Sequence, residues 1–188
     1  MFTFSKMLYS HFLLEHSNGH HRNIATVEDP ATSKRNENFY VFALRSAWGG
    51  LRDTYRREVE RVKSESKEFS NDTEPGLVTH IVQNRITWFS LLHAVILITI
   101  KKLFGWRAVL FQLGYGSVGI FFIELINYVE HYGLRRKKDD KGVYEAIGEQ
   151  HSWNSTSSTL LFRIQRHSDH HMHAYKPFQV LQRMDKAQ

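Results

Sequence analysis

Between Ile86 and Ile126 the chain carries two apolar stretches almost free of charge, and nothing else in the sequence limits its fold so strongly. Ile86 to Ile100 has Thr87, Ser90, His93 and Thr99 as its polar members and stops at Lys101-Lys102. Trp106 to Ile126 supplies 21 further residues, interrupted by Arg107, Gln112 and Glu124. A hydrocarbon layer about 30 Å thick takes about 20 helical residues to cross. The second stretch meets that length, and the first meets it when residues 82–103 are counted, so transmembrane helices are predicted over 82–103 and 106–126. With only a few residues between them, the two are expected to form a helical hairpin. Gly114, Gly116, Ser117 and Gly119 put small residues about a turn apart, which allows close helix packing in lipid. A buried hairpin of a soluble protein is the competing reading, and sparse charge over such lengths favours the membrane.

Outside these stretches the chain is polar, which is why the mean hydropathy is only −0.43. Phe2, Phe4, Met7, Leu8, Phe12 and Leu14 make a rough helical stripe that Asn18-Gly19 is expected to end. A polar connection from Asn23 to Asn38 contains the loop signal Glu28-Asp29-Pro30. Phe39 to Lys67 reads as a helix, with a break available at Gly49-Gly50. Its stripe of Trp48, Leu51, Tyr55, Val59 and Val62 suits either a membrane interface or an ordinary solvated helix. A polar linker closes at Pro75-Gly76. After the second apolar stretch come five basic residues between Arg135 and Lys141, against three around the hairpin loop, which favours a cytoplasmic exit. No secretory signal opens the chain, since the apolar run Met7 to Leu14 is short and interrupted.

Twelve of the 188 residues are histidine, and they cluster. Residues three and four apart share a helix face. His167 therefore projects beside His170 and His171, and His16 and His20 lie one turn apart with His21 adjacent. Three imidazoles on one patch bind a transition metal readily. With His131 the two triads supply seven imidazoles, more than one mononuclear site uses, which argues for two metals. All three groups flank the hairpin on the same side. Glu15, Glu130 and Asp169 each adjoin a cluster histidine and are candidates to accept its second N–H, or to ligate directly. His11, His80, His93 and His151 are expected to be structural, and His173 lies on a different face from His171. The expected fold class is thus all-α: an integral membrane helical hairpin, part of a larger transmembrane bundle, with cytoplasmic helices carrying a His-rich metal site.

The chain has no cysteine, so thiolate-held zinc, iron–sulfur clusters and a cysteine nucleophile are excluded. The net charge of +6 is spread among acidic residues, and no nucleic-acid module is recognisable, so nucleic acid is not an expected partner. Zinc hydrolysis is disfavoured because no His-Glu-x-x-His provides the usual base.

Glu15-His16-Ser17-Asn18-Gly19-His20-His21 resembles the second histidine box of the integral-membrane alkane hydroxylases, within the fatty acid desaturase-like superfamily. Asn127-Tyr128-Val129-Glu130-His131-Tyr132-Gly133-Leu134 is similar to that family's His-Tyr-Gly motif, which separates it from desaturases. Leu161 to His171 resembles the third box, and Glu28-Asp29-Pro30 and His151-Ser152-Trp153-Asn154-Ser155 fit in the expected order. The resemblance covers nearly all of residues 1–188, read as the C-terminal part of a single domain. It implies a non-haem diiron monooxygenase that hydroxylates the terminal carbon of alkanes or similar alkyl chains with dioxygen. By it, His16, His20, His21, His131, His167, His170 and His171 are iron ligands, and Ile164, one turn before His167, is a candidate for lining the substrate channel. Electrons are expected from a rubredoxin- or ferredoxin-type carrier, which Arg135, Arg136, Lys137 and Lys138 could attract. The setting implied is an integral membrane protein, of plasma membrane or endoplasmic reticulum, in contact with lipid and with its active site on the cytoplasmic side. The family's first box, His-Glu-x-x-His-Lys, has no match in residues 1 to 15. An N-terminally truncated chain is therefore expected, and if Met1 is its true start one iron lacks ligands, so that the chain alone should bind metal poorly and be inactive. A lipid desaturase or hydroxylase of the same superfamily is the alternative enzyme, and an inactive metal-binding fragment the alternative without turnover.

Overall fold

A computed structural model describes residues 2–69, 75–155, 166–184 and 186–187. Among them the structure is helical without β-strands, apart from one isolated bridge between Lys138 and Tyr144. The helices are α1 (Phe2–Lys6), α2 (Phe12–Glu15), α3 (His21–Asn23), α4 (Phe39–Phe69), α5 (Leu77–Gln83), α6 (Arg85–Glu130) and α7 (His167–Met172). A π-helical turn, His16–His20, joins α2 to α3. It runs straight through Asn18-Gly19, where the sequence predicts a stop. Two units divide the chain, 1–16 with 49–122 and 17–48 with 123–188, so α4 and α6 each contribute to both.

In the first unit α6 opens at Arg85, because Asn84 is extended and its Oδ1 accepts the Ile86 N–H, ending α5 and capping the next helix. Gly105, at φ 78°, interrupts α6 between its two apolar arms. Most other residues resist that conformation, and glycine does not. Lys101 Nζ sits 4.7 Å from the Trp106 ring beside this break. Among the described residues this one helix, α6, is long and apolar enough to cross a membrane, by length and composition, and little of its most apolar stretch is covered. Leu103, Phe104, Trp106 and Phe111 remain 62–77% exposed.

Residues 6–10 pack on both arms. The Met7 carbonyl lies so near Gly116 that a Cβ there would come within 2.7 Å of it, and the Met7 side chain covers Gly119. Gln112 donates to the Lys6 carbonyl, and Ser10 Oγ lies 2.8 Å from His93 Nε2. In α4 the helix is unbroken at Gly49-Gly50, and Gly50 provides the room that Glu15 fills. Its covered face is largely polar: Thr54, Glu58 and Val62, four apart, are 0–3% exposed. Glu58 accepts from the Arg85 backbone N–H at 3.0 Å, from the Arg85 guanidinium and from Arg61 Nη2 at 3.0 Å, tying α4 to the start of α6. Burial alone would raise the Glu58 carboxyl, yet those bonds and charges hold its pKa at about 2.

In the second unit the 24–38 loop is stitched to the end of α6. Ser33 Oγ donates to the Tyr128 carbonyl (2.7 Å), and the Ser33 carbonyl accepts the Gly133 N–H (3.0 Å). Tyr128 O–H donates to the Glu37 carbonyl, Asn36 N–H to Tyr132 Oη, and Arg136 N–H to the Ala25 carbonyl. Phe42 fills the space beside Tyr128, fully buried, with ring centres 5.3 Å apart. Gly133 turns the chain out of α6 at φ 72°.

Candidate metal centre

Three short segments of the second unit converge: the end of the π turn, the end of α6, and α7. His20, His131, His167 and His171 are 0–4% exposed, and one nitrogen from each ring lies within 4.8 Å of every other. His167 Nε2 is the hub, at 3.1 Å from His131 Nε2, 2.8 Å from His171 Nε2 and 3.2 Å from Glu130 Oε2. A neutral imidazole nitrogen either holds one proton or offers one lone pair. Three neighbours around a single nitrogen therefore cannot all be matched by protons, whereas one cation among the lone pairs satisfies them together. The donor set, imidazoles with a carboxylate at its edge, suits iron as well as zinc.

The geometry of this group is held from outside. Trp153 N–H donates to the Glu130 carbonyl (2.8 Å) and its indole N–H to the Tyr132 carbonyl (2.9 Å), fixing the chain on both sides of His131. Asn154 Oδ1 accepts the Ser168 N–H at the start of α7 (3.0 Å), and Ser168 Oγ lies within bonding distance of the Glu149 and Ser152 carbonyls. His20 Nδ1 lies 2.9 Å from Asp29 Oδ2, both side chains wholly covered. The motif of residues 151–155 and the Glu28-Asp29-Pro30 turn thus act as braces.

Burial and neighbouring rings favour the neutral form, the one that ligates, at His171, His21 and His170. Burial, then the neighbouring His167, His20, His131 and His21, holds His171 well below its ordinary pKa. Burial, with His170 and His20, lowers His21 to about 3, and burial with His20 lowers His170. Burial raises the Glu130 carboxyl well above the usual range.

Of the other predicted site residues, His21 and His170 form a pair, Nε2 to Nε2 3.1 Å, with the His21 ring centre 4.6 Å from that of His171. His16 belongs to the first unit, where its ring stacks on Phe12 at 5.3 Å. Glu15 is also there, buried against Gly50. Asp169 is buried and bonds the C-terminal tail: His173 Nδ1 lies 2.6 Å away, Lys176 Nζ 2.8 Å and the Gln182 N–H nitrogen 2.7 Å. Ile164 lies outside the described residues. Asp29 was not singled out by the sequence as a partner of a ligand, since nine residues separate it from His20 and only the loop's return brings them together.

The sequence profile of the Fatty acid desaturase family matches residues 1–187. The chain is 38% identical over 183 residues to alkane 1-monooxygenase of Acinetobacter baylyi, covering 95% of this chain and 42% of that protein. It is 36% identical over 180 residues to alkane 1-monooxygenase 1 of Pseudomonas aeruginosa, covering 94% and 44%. A more distant relative is the xylene/toluene monooxygenase hydroxylase component XylM of Pseudomonas putida, at 25% identity over 183 residues, covering 89% and 42%. The chain therefore spans less than half the length of these curated relatives. Matched along almost its whole length, and with four of its box histidines gathered around one point, the chain belongs to the fatty acid desaturase family.

Proposed function

We propose that this chain is part of a non-haem diiron membrane monooxygenase that hydroxylates the terminal carbon of alkanes or similar alkyl chains. The observation that carries the reading is the convergence of the four buried imidazoles of His20, His131, His167 and His171. The His21–His170 pair beside His171 supports a second metal position. His16 joins it by its place in the second histidine box. Bound there, the iron pair supplies the means of reductive dioxygen activation. The chain's own part is to hold neutral imidazoles in place, to keep bulk water from the buried group, and to keep Glu130 beside His167. The alkane assignment comes from the relatives' names and from the His-Tyr-Gly motif, and Ile164 keeps its place as a channel candidate on sequence alone.

The membrane setting rests on the length and exposure of the α6 arms. A hairpin is supported by distances along the chain. Met7 touches Gly116 and Ser10 bonds His93, yet three residues reach at most about 11 Å. A straight helix from 93 to 116 would span about 35 Å. These distances favour arms that turn back at Gly105. The basic run that follows favours a cytoplasmic active site, and exposed Arg135, Lys137 and Lys138 suit an acidic rubredoxin- or ferredoxin-type electron donor.

The test is product analysis with isotopically labelled dioxygen, using the iron-loaded protein that carries this chain, a long-chain alkane and a rubredoxin-type donor. Label in a primary alcohol is the expected result. An unlabelled alkene would favour a desaturase, and bound iron without product would favour the inactive metal-binding fragment.

A further inference from the structure

We infer that Asp29 is the positioning residue of the centre: it fixes His20 with the proton on Nδ1, so that the ring binds metal through Nε2. This rests on the metal-centre reading above. Three observations point to it.

First, the Asp29–His20 contact is 2.9 Å long between side chains that are both fully covered, so no water competes for either partner. Second, the carboxylate is built to remain an acceptor. Oδ2 also receives the Thr32 hydroxyl, Oδ1 receives the Ala31 N–H at 3.0 Å, and Thr32 Oγ1 in turn accepts the Ala25 N–H at 2.9 Å. An ionised, acceptor-only carboxylate leaves a neutral imidazole one choice, to place its proton on the nitrogen facing the carboxylate.

Third, Asp29 and Glu130 meet different nitrogens of the group. Glu130 Oε2 approaches Nε2 of His167, the nitrogen that also faces His131 and His171. Asp29 instead holds the nitrogen of His20 that lies across the ring from Nε2. Of the two carboxylates, only Asp29 is placed to orient a ligand from behind. Partners of this kind are worth about 10–100-fold in metal affinity.

Nitrogen NMR of the zinc-loaded, 15N-histidine-labelled wild-type chain reads the tautomer without any substitution. The expected spectrum shows His20 with a proton on Nδ1 and zinc on Nε2, and zinc on Nδ1 overturns the assignment. In a second measurement, cobalt(II) affinity and visible spectrum are compared for wild type, Asp29→Asn and Thr32→Val. Asp29→Asn keeps the shape and removes the charge, so it should bind cobalt about 10–100-fold more weakly, with shifted bands. Thr32→Val removes one donor from Asp29 Oδ2 and loosens the same loop but leaves the carboxylate facing His20, so it should lose far less. Unchanged affinity and bands in Asp29→Asn, or equal loss in Thr32→Val, would show that Asp29 only supports the loop. A wild-type chain that takes up neither metal fails at the earlier step and removes the metal centre itself.

Discussion

Gly133 turns the chain out of α6 two residues after His131, with φ at 72°. An added Cβ would meet Arg35 at 3.5 Å, an ordinary contact, so space is not what demands glycine there. The demand is conformational, because an L-residue in the left-handed region costs about 1–2 kcal/mol. Gly133→Ala should lower unfolding stability by that amount, and Gly133→Asn by less, since asparagine tolerates the region. Equal unfolding temperatures for all three proteins in detergent would contradict this. The glycine of the His-Tyr-Gly motif was visible in the sequence as a signature, while its physical reason was not. The histidines were legible because helical spacing alone brings His167 to His171, a ring-nitrogen distance of 2.8 Å. Asp29 was not, because no periodicity links it to His20 and the contact exists only through the fold of the 24–38 loop.

Between elements, the ion pairs of Glu58 hold α4 to α6. The Glu58 side chain is 4% exposed, but that of Arg85 is 44% exposed, so solvent screening limits what the pairing contributes. Glu58→Gln should cost about 1–2 kcal/mol, a value for charge-assisted hydrogen bonds discounted for that exposure. The carboxyl pKa is depressed from 4.5 to about 2. Its stabilising contribution is therefore complete above about pH 4.5 and lost as pH falls from there through about 2. Melting curves of wild type and Glu58→Gln should converge across that window, and a constant gap would show the charge is irrelevant. The sequence revealed α4 as a helix and its apolar stripe, but not its covered polar face. Tyr55, within the expected stripe, is 55% exposed, while Thr54 and Glu58 are buried. Hydrophobic spacing finds the greasy side of a helix and overlooks ion pairs that draw the other side inward. The π turn was equally hidden: Asn18-Gly19 has the composition of a helix stop, and the chain instead widens and continues.

At the scale of the molecule, the proposed hairpin places the break at Gly105 on one membrane face and the residues before α5 and after α6 on the other. The chain has no native cysteine, so single cysteines report position directly. Gly76→Cys and Lys137→Cys should label from the same side of sealed vesicles, and Lys102→Cys from the opposite side. Labelling of all three from one side would rule out the crossing. The length of the apolar arms was plain from composition, whereas their packing against residues 6–10 depends on Met7 meeting Gly116 and Gly119, which no local pattern announces. The central claim is that His20, His131, His167 and His171 share one metal. Cobalt(II) titration of the purified chain, followed by its visible bands, tests it most directly. The account predicts a saturable site that each of His20→Ala, His131→Ala, His167→Ala and His171→Ala weakens at least tenfold while His80→Ala leaves it intact. Cobalt bands that persist unchanged in the four variants, or that never form in the wild type, would contradict it.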